Sequence, residues 1–423
     1  MEQRLMQATD IGQGQSLHFW SLPVWLVGPG LSPRVDNWLR AEVCASKTDV
    51  RLFASILLKR RSQCSVVASI PAPFAVKVKP QQKMVHVSEW QFLKDQWTPA
   101  APVEKTDLTG KIVLVLGANT GIGYEAAKHF ATMKPARLIM ACRSRERGAA
   151  AVANIKQSTG FDAELWLVDL CSFASVKAFA DKFEKEVERL DILVANAAII
   201  STKYEKTEDD WETSIQVNHL APALLIFLLL PHMFKAAESS SSEPRIVIVG
   251  SMVHQTARIP ESAFQAQSAL EELGSRQCCE PYVARPRYNL AKLLNLLFTR
   301  ALSEHLPPTI IVNCVHPGFC YSDLLRGILD VVLWVFRALV ARPAEEGARQ
   351  IIWGAIATPS ESQGGVDSLR GAYVSSSHVM EPSNFVVSTK GKEFQNILWS
   401  DTVRILSKID PRVQPIVERY LQN

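Results

Sequence analysis

The sequence predicts an α/β protein in which helices cover both faces of a parallel sheet. Three observations indicate this class. From Lys111 onward, short runs of β-forming residues alternate with longer segments of helical periodicity. The strand-like runs are continuously apolar, which is typical of strands buried on both faces. A glycine-rich turn joins the first run to the first helical segment. The expected architecture is a doubly wound sheet in a three-layer αβα sandwich with right-handed crossovers.

Hydrophobic periodicity and turn residues place the elements along the chain. Strands are predicted at 111–116, 137–142, 163–168, 191–195, 245–249, 309–314 and 371–375. Helices are predicted at 121–133, 146–157, 173–189, 207–234, 287–305 and 342–358. The helix over 207–234 has Thr207 as its expected N-cap, with Asp210 three residues later. A further helix is expected near 261–273.

The chain of 423 residues divides into two parts of different character. Residues 1–83 mix apolar runs with Pro, Gly and basic residues and show no sustained periodicity. They are predicted to be a poorly ordered extension without a role in chemistry. A targeting segment and translation from a misassigned start site are the alternatives. Residues 84–423 are predicted to form a single domain with two insertions beside the substrate site, at 252–286 and 324–341.

The net charge of +4 comes from the extension, since residues 1–83 carry +6 and the remainder carries −2. The main domain therefore has no basic bias that would favour nucleic acid as a partner. The eight cysteines have neither a regular framework nor metal-ligand spacing, so no metal is expected and reduced cytoplasmic thiols are favoured. No segment qualifies as an ordinary transmembrane helix, and the apolar run at 221–231 is too short.

The first predicted strand leads into the turn Gly117-Ala118-Asn119-Thr120-Gly121-Ile122-Gly123, where a helix is predicted to begin. Glycines at this spacing allow a tight turn and a close approach of the backbone to a pyrophosphate. The helix N-terminus adds N–H donors and positive potential. The turn therefore predicts dinucleotide binding on a Rossmann-type fold, with a purely structural glycine turn as the alternative.

The residue after the second predicted strand selects the nucleotide. An acidic residue at this place binds the ribose hydroxyls of NAD. The chain has Arg143 instead, and a guanidinium can pair bidentately with a 2′-phosphate. NADP(H) is therefore the expected cofactor, with Arg143 and Arg145 as solvated surface side chains being the alternative. Further candidates to line the cofactor are Asp169 and Leu170, after the third strand, and Asn196, after the fourth.

Tyr288 and Lys292 carry the strongest chemical signal. They stand four residues apart and share one face of a predicted helix. A free phenol has a pKa of about 10, and a nearby ammonium lowers that pKa towards the working range. Ser251, just after the fifth strand, can donate a hydrogen bond to a substrate carbonyl. Asn218 is a polar residue in an apolar helical run, where a buried Asn satisfied by local backbone is the alternative to a functional role.

In their order and spacing these motifs resemble the short-chain dehydrogenase/reductase family, over about residues 108–357. The matching segments are LGANTGIG, DL, NAA, VNHL, the strand-end serine, YNLAK and His316-Pro317-Gly318. The resemblance implies a tetrad of Asn218, Ser251, Tyr288 and Lys292.

The resemblance also implies a role for each residue of this tetrad. Tyr288 would be the general acid/base and Ser251 would orient and polarise the carbonyl. Lys292 would hold the nicotinamide ribose and lower the pKa of Tyr288, while Asn218 would anchor a water that relays protons. The resemblance also implies that Pro317, Gly318 and Ser322 border the nicotinamide carboxamide.

Several segments are similar to the retinol-dehydrogenase-like branch, especially its fungal members. They are ACR after the second strand, the FLKDQW lead-in, and the GAYVSS, EPS, FQ and LW tail. The chain departs from the family pattern at Leu116, Ala195 and Ala198, where Thr, Asn and Gly are usual. The gap from Ser251 to Tyr288 is also longer than in many members, which predicts that the insertion forms a wall of the substrate pocket.

These expectations combine into an NADP(H)-dependent oxidoreductase that transfers hydride between nicotinamide and a lipophilic ketone, aldehyde or alcohol. A retinoid-, steroid-, terpenoid- or polyketide-like compound from fungal secondary metabolism would fit the branch. The apolar segment 324–340 is expected to cover the substrate or to contact a membrane surface peripherally, with core packing as the alternative. The resemblance to the family implies a homodimer or a homotetramer. A non-catalytic NADP-binding scaffold or sensor, and a membrane-surface-associated protein, are the competing functions.

Overall fold

The structure is a computed structural model that describes residues 94, 96–238, 243–280, 285–321 and 340–421. The expected extension at 1–83, its boundary at residue 84, most of the insertion at 324–341 and the candidate Ser322 lie outside the described residues. They stay predictions.

Within the described residues, one sheet of eight strands has the order β3-β2-β1-β4-β5-β6-β7-β8. The first seven strands run parallel, and β8 pairs antiparallel with β7. The strands are β1 Ile112–Leu116, β2 Arg137–Cys142, β3 Glu164–Leu167, β4 Ile192–Ala195, β5 Arg245–Val249, β6 Ile311–His316, β7 Tyr373–Ser375 and β8 His378–Met380. The doubly wound α/β prediction is confirmed.

Helices cover both faces of this sheet. They are α1 Gly121–Thr132, α2 Arg145–Thr159, α3 Phe173–Glu186, α4 Thr213–Ala237, α5 Glu261–Gln265, α6 Ala269–Leu273, α7 Arg276–Cys279, α8 Arg285–His305, α9 Ala344–Ile356, α10 Asn384–Val387, α11 Thr389–Ile409 and α12 Val413–Tyr420. A 3₁₀-helix spans Met252–Thr256. Strand β1 shows why the strands are apolar throughout. Leu114 and Leu116 point into the core under α3, α4 and α8. The alternate residues Val113 and Val115 point into the core under α1 and α9.

The order of the strands places a crevice at one edge of the sheet. β1 is hydrogen-bonded to β2 on one side and to β4 on the other, so the direction of winding reverses between β1 and β4. In open α/β sheets, ligands bind at such a switch point, outside the carboxyl ends of the strands. The glycine turn after β1 and the segments after β4, β5 and β6 all lie at this edge.

The fourth large helix begins later than the sequence predicts. Glu212, not Thr207, is its N-cap, and the Glu212 carboxylate accepts from the N–H groups of Ser214 and Ile215 at 3.0 and 2.9 Å. The Thr207 N–H donates to Trp211 O, and Asp210 adopts a φ of 64°. Asp tolerates this left-handed conformation, so the Thr-x-x-Asp pattern closes a turn here instead of starting a helix.

The insertion and the C-terminus also differ from the sequence expectation. The single helix expected near 261–273 is two short helices, α5 and α6, because Ser268 caps the second one. The Ser268 hydroxyl and the Leu270 N–H both donate to Asp401 on α11, at 2.9 and 2.8 Å. The insertion is thereby packed onto α11, a C-terminal helix that the sequence analysis did not predict.

The described residues include one helix, α4, that is long and apolar enough to cross a membrane. This corrects the expectation based on the run at 221–231 alone, since that run belongs to a helix of 25 residues. Of its most apolar window, 72% is buried inside the protein, and Phe227 and Leu229 are fully inaccessible. Packing against α3, α8 and α12 therefore accounts for the hydropathy of this helix.

Candidate active site

The glycine turn after β1 is pressed against the segment that follows β4. Gly117 adopts a φ of 73°, and a Cβ there would lie 2.9 Å from the Cα of Ala197. A Cβ on Gly123 would lie 2.4 Å from both Asn196 Nδ2 and Gly117 O. Both positions therefore need glycine on steric grounds alone.

The N-terminus of α1 is the anion-binding end of this turn. Thr120 is the N-cap residue, with an extended backbone and a side chain that does not cap the helix. Thr120 is exposed, whereas Asn119, Gly121 and Ile122 are half-buried. A first helical turn that is not covered by its own cap suits a phosphate group, so these residues fit a dinucleotide.

Asn196 acts on this turn through its side chain. Its Nδ2 donates to Leu116 O and to Gly117 O, each at 3.1 Å. The amide thus ties the end of β4 to the turn after β1. Leu116, the departure from the usual Thr, is 1% exposed and packs in the core below the turn. Apolar packing and the Asn196 amide together support the turn at this position.

The adenosine end predicted from the sequence lies after β2 and β3. Arg143 is exposed directly after β2. The Asp169 carboxylate accepts from the Cys171 N–H at 3.0 Å, and Leu170 is buried. Burial and the nearby Asp169 raise the pKa of the Cys171 thiol, and Arg143 opposes this rise. Arg143 and Asp169 therefore both act on the Cys171 thiol at this end of the crevice.

Lys292 is buried at the carboxyl end of β5. Its Nζ donates to Val249 O at 2.6 Å, and the residue is 2% exposed. Burial lowers the pKa of Lys292 to about 8. The ammonium lies 5.4 Å from the centroid of the Tyr288 ring, one turn earlier on α8. The i, i+4 pair predicted from the sequence therefore does lie on one face of the helix.

The expected effect of Lys292 on Tyr288 is not seen in this structure. Burial raises the pKa of the Tyr288 phenol above its usual value, and no neighbouring charge lowers it among the described residues. The ammonium hydrogen-bonds to a main-chain carbonyl, and burial of the phenol disfavours the phenolate. Tyr288 is therefore a protonated phenol at neutral pH.

Ser251 is placed beside α8 by the 3₁₀-helix that follows β5. It is the N-cap residue of this helix, and its Oγ accepts from the Val253 N–H at 3.4 Å. Asn289, next to Tyr288, donates through Nδ2 to Thr256 Oγ1 at 2.8 Å. This bond joins the end of the serine-bearing helix to the tyrosine-bearing helix, so Ser251 and Tyr288 belong to one packed unit.

Asn218 lies in a π-helical turn, Gln216–Leu220, within α4. Its side chain forms a reciprocal pair with the main chain of Ile199, at 2.8 Å to the N–H and 3.0 Å to the carbonyl. The side chain is thus satisfied by backbone, which is the alternative left open by the sequence. A cavity of about 10 Å³, roughly the size of one water, lies beside Asn218 and is also lined by Asn295.

The turn after β6 brings Pro317 and Gly318 to the same edge. Gly318 has a φ of 88°. Gln96, in the lead-in segment, accepts from the Phe319 N–H at 3.1 Å and donates to Phe319 O at 2.9 Å and to Val340 O at 3.1 Å. The lead-in motif therefore has a structural purpose, which is to hold this turn from outside the sheet.

An ion pair that the sequence analysis missed anchors the tyrosine-bearing helix. Arg287 donates to the Glu212 carboxylate at 2.6 Å and to Leu273 O at 2.7 Å. Both charged side chains are buried, and Glu212 also caps α4. Arg287 therefore connects α8, α4 and the insertion immediately beside Tyr288. The sequence shows that Arg287 is next to Tyr288, but it does not indicate the ion pair with Glu212.

The fold and the site together define an α/β protein with a glycine-rich turn that fits a dinucleotide and with Ser251, Tyr288 and Lys292 at the switch edge of its sheet. A family model for the short chain dehydrogenases matches residues 111–269. A short chain dehydrogenase/reductase of Cryptosporiopsis sp. is 31% identical over 328 residues, which are 76% of this chain and 98% of the relative.

Two solved structures are similar to this chain, and the first of them supports the fold. An uncharacterized protein from Mycobacterium Paratuberculosis has a TM-score of 0.54 and 25% identity, covering 72% of this chain and 96% of that chain. A short chain dehydrogenase from Burkholderia cenocepacia, solved in complex with NADP, has a TM-score of 0.47 and 24% identity, covering 64% of this chain and 97% of that chain. The present chain belongs to the short-chain dehydrogenase/reductase family and is an oxidoreductase. Its assignment to the retinol-dehydrogenase-like branch stays a prediction.

The buried Lys292 predicts a pH dependence of stability. Below pH 8 the folded and unfolded chains both hold the proton, so the cost of burying the ammonium is fully present. As the pH rises from about 8 towards the usual value of 10.5, only the unfolded chain keeps the proton, so this cost disappears. The stability of the native protein relative to Lys292→Met should therefore rise by on the order of 2 kcal/mol from pH 7 to pH 10.

Urea unfolding of both proteins at the two pH values measures this difference. The exposed Lys185→Met is the matched control, and its difference from the native protein should stay constant. A constant difference for Lys292→Met as well would mean that the Lys292 ammonium is not desolvated.

Proposed function

We propose that the protein is an NADP(H)-dependent reductase of an apolar ketone or aldehyde, acting also on the corresponding alcohol in reverse. The observation that carries the proposal is the packed unit of Ser251, Tyr288 and Lys292. Lys292 is bonded to Val249 O, two residues before Ser251, and Asn289 is bonded to the helix that Ser251 caps. Three side chains of complementary chemistry are thereby held at the edge where a dinucleotide would bind.

The residues at the crevice fit NADP(H). The uncapped first turn of α1 would take the pyrophosphate, and Arg143 would pair with the 2′-phosphate. Asp169 and Asn196 lie along the same edge, and the turn at Pro317 and Gly318 would border the nicotinamide. When bound, NADPH supplies the hydride that reduces the carbonyl carbon.

The chain's own groups supply the proton and hold the carbonyl. Tyr288 is protonated at neutral pH, so its phenol can donate to the carbonyl oxygen as hydride reaches the carbon. Ser251 Oγ would donate a hydrogen bond to the same oxygen and stabilise the charge that develops there. Lys292, with a pKa of about 8, is mostly charged at pH 7. Its ammonium is bonded to Val249 O in this structure and would have to turn towards Tyr288 to stabilise the phenolate left there. The water-sized cavity at Asn218 is a place from which the proton can be replaced.

The apolar class of the substrate is supported by the segments around Ser251 and Tyr288. Ala257 and Ile259, in the insertion after Ser251, are only partly buried against the core. The segment 324–340 is rich in Leu, Val, Trp and Phe and follows the turn at Gly318. Both features favour a substrate that presents hydrocarbon surface. Peripheral membrane contact and a homo-oligomer stay predictions from the sequence.

Replacement of Tyr288 by Phe should abolish turnover and spare binding. Removal of a positioned general acid typically costs 10²–10⁴-fold in rate, so we expect at least about a 100-fold loss of kcat. The assay follows NADPH absorbance with the full chain and a panel of decanal, 9-fluorenone and all-trans-retinal, with dihydroxyacetone as a polar comparison. NADPH affinity, measured by fluorescence, should change less than about threefold.

The control is Tyr420→Phe, which alters a phenol whose ring lies 4.6 Å from the Phe234 ring, near the end of α4. It should leave turnover unchanged. Turnover that persists in Tyr288→Phe would contradict the assigned acid. NADPH binding by the native protein without turnover of any carbonyl would favour the scaffold or sensor function instead.

Replacement of Arg143 by Gln should remove the preference for NADPH over NADH. A charge-assisted contact to a phosphate is worth about 1.5–3 kcal/mol, so NADPH affinity should fall about 10- to 100-fold while NADH affinity stays constant. Fluorescence titration with both cofactors measures the ratio. Arg145→Gln is the matched control, because Arg145 is the equally exposed neighbouring arginine. Equal affinities for the two cofactors in the native protein would contradict the role of Arg143.

A further inference from the structure

Two buried imidazoles lie at the carboxyl ends of β5 and β6, behind the site. His254 belongs to the 3₁₀-helix capped by Ser251, and His316 is the last residue of β6. Neither was a candidate in the sequence analysis, where His316 figured only as part of a family motif. Both contact the main chain of segments that carry proposed site residues.

The hydrogen bonds of His254 fix its neutral tautomer. Its Nε2 lies 3.1 Å from the Ser383 N–H, which can only donate, so Nε2 accepts. Its Nδ1 lies 2.7 Å from Ser251 O, which can only accept, so Nδ1 carries the proton. His254 therefore joins the main chain at Ser251 to the EPS motif of the C-terminal tail, for which the sequence had offered no role.

His316 has the opposite tautomer. Its Nδ1 lies 3.3 Å from the Met252 N–H and 3.4 Å from the Gly318 N–H, and both groups are donors. Nδ1 must therefore be unprotonated and shared between them. One acceptor atom thus holds the residue after Ser251 and the glycine of the turn after β6.

Tyr373 on β7 contacts both rings. The His316 ring stacks on the Tyr373 ring at 6.4 Å and 11°, and the His254 ring meets the Tyr373 ring edge-on at 4.8 Å. Burial lowers the pKa of His254 to about 4 and that of His316 to about 3. The Arg342 charge also lowers the pKa of His316, as would a proton on His254. Both imidazoles are neutral under ordinary conditions, as the hydrogen bonds require.

We propose that His316 is a positioning residue that couples the segment of the catalytic Ser251 to the turn bordering the nicotinamide, through the single acceptor atom Nδ1. The inference rests on the proposed function, since the turn at Gly318 borders a nicotinamide only if NADP(H) binds at this edge. Loss of this acceptor atom removes a hydrogen bond from the Ser251 segment and one from the turn at the same time. His254 and Tyr373 maintain the ring orientation that this sharing needs.

Two substitutions separate the acceptor atom from the ring. His316→Phe keeps a ring that can stack on Tyr373 but removes the acceptor, so two partly buried N–H groups lose this partner. His316→Asn loses the stacked ring but can place its Oδ1 where Nδ1 lies. The exposed His378→Phe on β8 is the matched control, because its imidazole also bonds a nearby main-chain carbonyl.

The full-length proteins are titrated with NADPH and with adenosine 2′,5′-bisphosphate, which lacks the nicotinamide half. For His316→Phe we expect about tenfold or greater loss of NADPH affinity, while the affinity for the bisphosphate stays within about twofold. His316→Asn should remain within about threefold of the native protein for both probes, and so should His378→Phe. A merely structural role would weaken both probes together or neither.

The outcomes distinguish the inference from the proposed function. If the native protein binds neither probe, the proposed function fails and the inference fails with it. If it binds both probes but His316→Phe binds NADPH as tightly as the native protein, or loses both probes in parallel, only the inference is overturned. If it binds NADPH no more tightly than the bisphosphate, the turn does not bind the nicotinamide and the inference is again overturned.

A spectroscopic test covers the case in which His316→Phe does not fold. In ¹⁵N-histidine-labelled native protein, the signals of His316 and His254 are assigned by their loss in His316→Asn and His254→Asn. His316 should show an unprotonated Nδ1 and His254 a protonated Nδ1, and neither should titrate between pH 5 and pH 8. An Nδ1-protonated or titrating His316 would overturn the inference.

Discussion

The site depends on one buried charge at the carboxyl end of β5. An ammonium that is 2% exposed needs a partner, and the described contacts give Lys292 a single main-chain acceptor, Val249 O. The bond fixes the rotation of α8 against β5, so Tyr288, one turn earlier, is fixed as well. The parallel sheet makes this possible, because it delivers the ends of β4, β5 and β6 to the same edge. The Arg287–Glu212 pair and the Asn289–Thr256 bond then hold α8 from its two sides.

The same burial explains the protonation states of the two central groups. It raises the pKa of the Tyr288 phenol and lowers that of the Lys292 ammonium, so the two groups are driven towards their neutral forms from opposite directions. At pH 7 the result is a protonated phenol beside a mostly charged amine. That combination suits donation of a proton to a carbonyl oxygen, with the amine available to stabilise the phenolate that remains. The protonation states that the proposed proton transfer needs therefore follow from the burial of the Tyr288 and Lys292 side chains.

The sequence was sufficient for features that are local or periodic. The apolar runs located β1, β2, β4 and β5 closely, and the spacing of Tyr288 and Lys292 placed them on one helix face. It was insufficient for contacts between distant residues. His254 is hydrogen-bonded to Ser383, 129 positions away, and Gln96 to Phe319, 223 positions away. No local sequence pattern indicates such partners. The start of α4 was misplaced because Thr207 and Asp210 suit a turn as well as a cap. The C-terminal helices α11 and α12 were overlooked although their periodicity was present.

The central claim is that Tyr288 is the proton donor, and its phenol can be titrated directly. Phenolate absorbance is recorded against pH for the native protein and for Tyr288→Phe, with and without saturating NADP⁺, and the difference between the two proteins isolates Tyr288. The account predicts no Tyr288 phenolate below pH 10 in the free protein, because burial raises this pKa. It predicts phenolate at lower pH with NADP⁺, because the cationic nicotinamide ring, and a Lys292 ammonium turned from Val249 O towards the phenol, would stabilise the anion. A Tyr288 signal that NADP⁺ does not move would contradict the assignment.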